Sequence, residues 1–181
     1  MKTTSTTLAG VTLLSPPQFP DERGAFRPVF AQRLHADAGY DHPWAEMNLS
    51  HTEQGCIRGL HFQEPHAQAK LITVVSGTIY DVVVDLRKDS VTFGRWAAFT
   101  LSADNPEHPS QIYIPEGLAH GLATPDGPAT IAYLVSKPWN PETEQVLNWN
   151  DPDLNIPWPI ENPQLSARDQ QGVPLENLYR I

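Results

Sequence analysis

The clearest signal along the chain is a strict alternation of apolar and polar positions. Over residues 78–87, Tyr80, Val82, Val84 and Leu86 fall on one face and Asp81, Val83 and Asp85 on the other, the two-residue period of a β-strand. Residues 70–76, ended by Gly77, predict a neighbouring strand. Residues 94–101, 111–114 and 130–136 predict three more, being rich in β-branched and aromatic side chains. Helix is predicted in two places only, over 31–38 and after Ser166, whose hydroxyl suits an N-cap. The chain's 18 prolines and 11 glycines are scattered rather than clustered, which suits many turns and excludes long helices. No fixed-period repeat or low-complexity linker interrupts residues 1–181. The pattern therefore predicts one all-β domain, a sandwich or closed barrel with a few short peripheral helices.

Composition narrows what such a domain does. With 40% hydrophobic and 18% charged residues the chain has the balance of a globular protein. A formal charge of -9 and the lack of any Lys/Arg cluster exclude a nucleic-acid-binding surface. A few placed arginines still suffice to hold a diphosphate. Cys56 is the single cysteine, so neither an intrachain disulfide nor a cysteine zinc site is expected. The Thr-rich start lacks the features of a secretion signal and the apolar runs are too short to span a membrane. The expectation is a cytoplasmic, soluble protein.

Chemistry-bearing side chains concentrate in three strand-like stretches: 58–63 with 68–70, 114–121, and the surroundings of Tyr133. A lysine such as Lys70 inside a strand context points to a role, because an unpaired ammonium is costly to bury. Pro115-x-Gly117-x-x-His120 resembles the second cupin motif, and Gly59-x-His61 lies where the first would supply metal ligands. The position two after His61 is Gln63, which leaves two histidines and no further nitrogen ligand. No metal site is therefore expected, and a metal-dependent cupin enzyme is the alternative reading.

Several ordered motifs together carry a more specific likeness: residues 58–63, Gln68-Ala69-Lys70, residues 81–87, Thr92-Phe93-Gly94, residues 114–121 and Asn150-Asp151-Pro152. From about Asp21 to Asp169 the chain resembles the dTDP-4-dehydrorhamnose 3,5-epimerase family, which acts on nucleotide-linked 4-keto sugars. The resemblance implies a jelly roll (cupin-type) barrel, a homodimer, a nucleotide-diphosphate sugar substrate and no cofactor, since the substrate's own ketone acidifies its α protons. It implies His61 as the base, Asp169 as the carboxylate that orients it, Lys70 with His120 as partners of the enolate oxygen, and Tyr133 as proton donor from the far face. Arg23, Phe26, Glu46, Asn48, Arg58, Gln63, Trp139, Glu144 and Arg168 fall where the family contacts substrate. Such chemistry requires a base of near-neutral pKa, a positive partner for the enolate and an acid across the ring.

The chain departs from the family pattern at particular places. Glu46-Met47 stand for Gln-Asp, Pro28 for a glutamate, Trp139 for a tyrosine and Arg168 for a lysine, and the stretch between His61 and Lys70 is one residue shorter. Inversion at one carbon only, in another deoxysugar pathway, and a catalytically silent sugar-nucleotide binder are the further alternatives. Strict alternation also sets Gly59, His61 and Gln63 on one face and Arg58 on the other. For Arg58 and His61 to share a cavity, a bulge or a strand end near Gly59 is required.

Overall fold

A computed structural model describes residues 1–179. The strands run β1 (Lys2–Ser5), β2 (Thr12–Ser15), β3 (Phe19–Asp21), β4 (Gly24–Phe26), β5 (Glu46–Thr52), β6 (Ile57–Gln63), β7 (Lys70–Ser76), β8 (Thr78–Asp85), β9 (Trp96–Ser102), β10 (Gln111–Ile114), β11 (Leu118–Ala123), β12 (Ala129–Val135) and β13 (Glu144–Val146). They form a six-stranded sheet in the order β1-β2-β10-β7-β12-β5 and a five-stranded sheet in the order β13-β6-β11-β8-β9, with β3–β4 a separate hairpin. The strand pairs are antiparallel. Two such sheets face to face make the jelly roll that the sequence predicts.

Alternation decides which side chains enter the core. Val83 of β8 points between the sheets with Ile72, Val74, Leu101, Ile112, Leu122 and Ile131. Val82 and Val84 point the other way, to a second cluster with Leu60, Leu147, Leu154 and Ile156. The five-stranded sheet is thus buried on both faces, because the segment after β13 wraps its outer side. This explains why three consecutive valines are all fully buried. Each contributes about 1.5–3 kcal/mol by leaving water.

The helix predicted over 31–38 is shorter, Gln32–Ala36. The stretch after Ser166 holds a 3-10 turn, Asp169–Gln171, whose Asp169 amide donates to Ser166 Oγ at 3.0 Å. Ser166 does satisfy a turn's free N–H, but Gly172 and Pro174 follow at once and interrupt it, and a separate 3-10 segment, Leu175–Tyr179, comes after them. The strand predicted over 78–87 ends at Asp85, where Arg87 Nη2 and Nε turn back to its carboxylate at 2.7 and 2.9 Å.

Candidate active site

Of the two ways to bring Arg58 and His61 together, the structure uses a bulge. His61 pairs with His120, yet Arg58 pairs with Leu122, so three residues of β6 span what two cover on β11. The extra residue resets the alternation, and Arg58 and His61 come to line the same cavity. Gly59 makes this register reachable. Its φ is +112°, and a Cβ there would sit 2.6 Å from Gly121 Cα and 2.7 Å from the carbonyl oxygen of His120. Gly121 is equally bare: its Cβ would meet the Arg58 carbonyl at 2.7 Å. The two glycines let β6 and β11 close on each other beside the two histidines.

The cavity has a volume of about 360 Å³ and lies between the sheets. From the five-stranded sheet His61, Arg58, His120 and Glu144 face it, and from the six-stranded sheet Tyr133, Lys70, Asn48 and Glu46. Tyr133 of β12 pairs with Asn48 on one side and Ile72 on the other, which sets it opposite the wall that carries His61. Trp139, on the loop after β12, stands at the rim and is 52% exposed.

Each histidine has its own carboxylate. His61 Nε2 meets Asp169 Oδ1 at 2.6 Å, and His120 Nε2 meets Asp81 Oδ2 at 2.7 Å. Asp169 is itself behind the cavity wall, almost fully buried. Burial pushes its carboxyl up, but the hydrogen bond and charge of His61, with Ser166 and the Gly59 amide, outweigh it and hold the group below the usual value. A carboxylate so held fixes the imidazole's orientation. Asp81 is fully buried, and its Oδ1 has no protein partner. Among the described residues no three metal-binding side chains gather, and the Nε2 of both histidines is already taken by an aspartate.

Lys70 is mostly buried and donates to the His61 carbonyl at 3.2 Å. Desolvation pulls its pKa down to about 8, partly opposed by the charges of Glu144 and Asp81. The Tyr133 hydroxyl shifts the other way: burial raises its pKa, Glu144 and Glu46 add to the rise, and Arg58 opposes it. A tyrosine so placed stays a proton donor, and a lysine so placed is a cation close to its titration point.

Other residues predicted to touch substrate are placed differently. Arg23, at the tip of the β3–β4 hairpin, pairs with Asp21 at 2.6 Å and is highly exposed. Phe26 on the same hairpin is 69% exposed and stacks on Phe19. Neither lines the cavity of this chain. Arg168 also stands outside the lining, paired with the Glu144 carboxylate and donating to the Glu144 carbonyl at 3.0 Å. Gln63 is buried behind the wall, where its side chain binds the backbone of the Trp139 loop. Gln63 lies at the end of β6, beyond the bulge, where the loop after β12 packs against it. Sequence reasoning missed Asp81 as the partner of His120, and missed Gln68 and Ser50 in the lining. The signal for Asp81 was its inward position among valines.

The fold is thus a jelly-roll (cupin-type) barrel with a carboxylate-backed histidine, a lysine and a tyrosine around one cavity, and the proteins it matches are isomerases. The dTDP-4-dehydrorhamnose 3,5-epimerase family model matches residues 5–177. The chain belongs to that family. It is 44% identical over 168 residues to the Neisseria gonorrhoeae enzyme of that name, covering 92% of this chain but 50% of that protein. It is 40% identical over 174 residues to the Pseudomonas aeruginosa enzyme of the same name, covering 95% of this chain and 94% of the relative. The crystal structure of the Bacillus anthracis enzyme with TDP and pyrophosphate bound superposes with a TM-score of 0.90 at 40% identity, covering 96% and 99% of the two chains.

Proposed function

We propose that this chain is a cofactor-free epimerase that inverts C3 and C5 of a nucleotide-linked 4-keto-6-deoxy sugar, with dTDP-4-keto-6-deoxyglucose the first substrate to try. The observation that carries the reading is the disposition of His61 and Tyr133 on opposite sheets of one cavity that Lys70 also enters. His61, oriented by Asp169, removes the proton α to the ketone. The electrons move into the C4 carbonyl, and the resulting enolate oxygen is met by the Lys70 ammonium and by His120. Tyr133 returns a proton from the other face, and the inverted carbon results. The nucleotide named for the Bacillus relative supports a thymidine diphosphate as the handle. Arg58, anchored on Thr52 Oγ1 at 2.8 Å, is the cation of the lining suited to a phosphate.

A single inversion is the second reading, supported by Trp139. Its indole Nε1 is spent on Glu144 at 2.9 Å, so the rim offers the sugar an aromatic face in place of a tyrosine hydroxyl. Phe19 and Phe26 on the hairpin, and Met47 and Leu49 on the outer side of edge strand β5, leave large apolar side chains exposed. They support a homodimer, with the hairpin of one copy and its Arg23 directed at the other. No helix among the described residues is long and apolar enough to cross a membrane, and action on a soluble nucleotide sugar fits the cytoplasm.

Proton NMR of dTDP-4-keto-6-deoxyglucose in D₂O with EDTA-treated protein tests the reading. Loss of both the C3 and C5 signals is expected. Loss of one identifies a single-site epimerase. No exchange on any 4-keto-sugar nucleotide, or exchange that depends on added metal, overturns the proposal.

A further inference from the structure

The loop between β12 and β13 is held in an unusual way. Four consecutive residues each have a backbone group tied by a side chain from elsewhere in the fold. Gln68 Nε2 donates to the Lys137 carbonyl at 2.7 Å, and Gln63 Nε2 to the Pro138 carbonyl at 3.4 Å. The Trp139 amide donates to Glu46 Oε1 at 3.1 Å, and the Asn140 amide to Gln63 Oε1 at 2.8 Å. Gln63 also donates to the His66 carbonyl at 3.2 Å, so one buried amide joins both loops at this end of the barrel. Gln63 and Gln68 are 4% and 8% exposed, and buried amides that meet backbone groups leave a loop little freedom. The loop carries Trp139 directly. It also sets Glu144, whose amide donates to the Asn140 carbonyl at 3.0 Å and whose carboxylate receives the Trp139 indole and Arg168.

We propose that Gln63, Gln68 and Glu46 are positioning residues that clamp residues 137–140, so that Trp139 and Glu144 form a preset wall of the cavity. Gln63 acts on substrate through this loop and not by touching it. The clamp deepens the epimerase reading, since a wall set before binding spares the ordering cost that substrate would otherwise bear. Its loss weakens binding of the sugar nucleotide while His61, Tyr133 and Lys70 keep their places.

The test uses the whole chain labelled with 5-fluorotryptophan, the Trp139 ¹⁹F line being assigned by its absence in Trp139→Phe. Gln63→Met keeps the volume and removes its three bonds; Gln68→Met removes one. In Gln63→Met the Trp139 line is expected to broaden or split while the lines of Trp96, Trp149 and Trp158 stay put. In D₂O exchange assays KM for dTDP-4-keto-6-deoxyglucose rises about tenfold while kcat stays within about threefold. An unchanged Trp139 line in both variants overturns the clamp. A fall in kcat at constant KM also overturns it, because Gln63 would then act on the reacting atoms. If Gln63→Met fails to fold, the milder Gln68→Met decides by the same line. A broadened line in a protein with no epimerase activity on any 4-keto sugar keeps the clamp and refutes the function.

Discussion

The lowered pKa of Lys70 has a direct kinetic consequence. A lysine in water titrates at 10.5; here desolvation brings it to about 8. If the ammonium stabilises the enolate, kcat/KM falls on the basic side with a midpoint near pH 8. At pH 9 about a tenth of the lysine remains charged, against more than nine tenths for an unperturbed one, so the rate at pH 9 is about a tenth of its plateau. Tyr133 does not supply this limb, because its own pKa is raised above the ordinary 10. Deuterium uptake at C3 and C5 between pH 6.5 and 9.5, corrected for uncatalysed exchange, measures it. Lys70→Arg separates the groups: a guanidinium stays charged throughout, so the variant loses the limb even where its absolute rate is lower. A profile of the native protein that is flat to pH 9.5 refutes the reasoning, whether through the pKa or through the role. Stability follows the same linkage with the opposite sign. Below about pH 8 folding buries a charged lysine, so the penalty is full there and is relieved as pH rises from about 8 toward 10.5.

Further outcomes follow from the same geometry. His61→Asn abolishes deuterium uptake without unfolding the chain, whereas Tyr133→Phe retains uptake and loses net inversion, both read by NMR of the recovered sugar. Asp169→Asn removes a charge-assisted bond of 2.6 Å worth about 1.5–3 kcal/mol, so kcat drops by at least about tenfold; an unchanged kcat would remove Asp169 from the site. Gly59→Ala forces a Cβ against the backbone at 2.6 Å and a side chain at φ +112°, costing about 2–5 kcal/mol, seen as a Tm lower by about 5–15 °C. Asp85 is fully buried against Arg87, Ser90 and Thr92. Burial pushes its carboxyl up, yet those bonds hold it far below the usual value, so its stabilisation is full above about pH 4 and lost as pH falls further. Asp85→Asn should flatten that part of the acid-unfolding curve.

Much of the framework is written in local pattern. β7 and β10 lie where the β-branched runs 70–76 and 111–114 place them, and the alternation in β8 sorts Val83 from Val82 and Val84 as read. Strand β11, by contrast, reads Leu118-Ala119-His120-Gly121-Leu122-Ala123, small and glycine-containing, and becomes a strand only because β6 and β8 pair with it on both sides. Residue types and order were enough to assemble His61, Lys70 and Tyr133 as a set, since motif spacing survives in one dimension.

Partnership was legible only in part. The family resemblance paired Asp169 with His61 across 108 positions, but Asp81 reads as one more acid on a strand until β11 brings His120 against it. Gln63 reads as lining, yet its side chain bonds the backbone at Pro138 and Asn140, because the loop packed against the end of β6 comes from far along the chain. Periodicity is a property of one strand. Which face meets which, and where a bulge resets the count, is settled by pairing between strands, and for this chain only the folded barrel decides it.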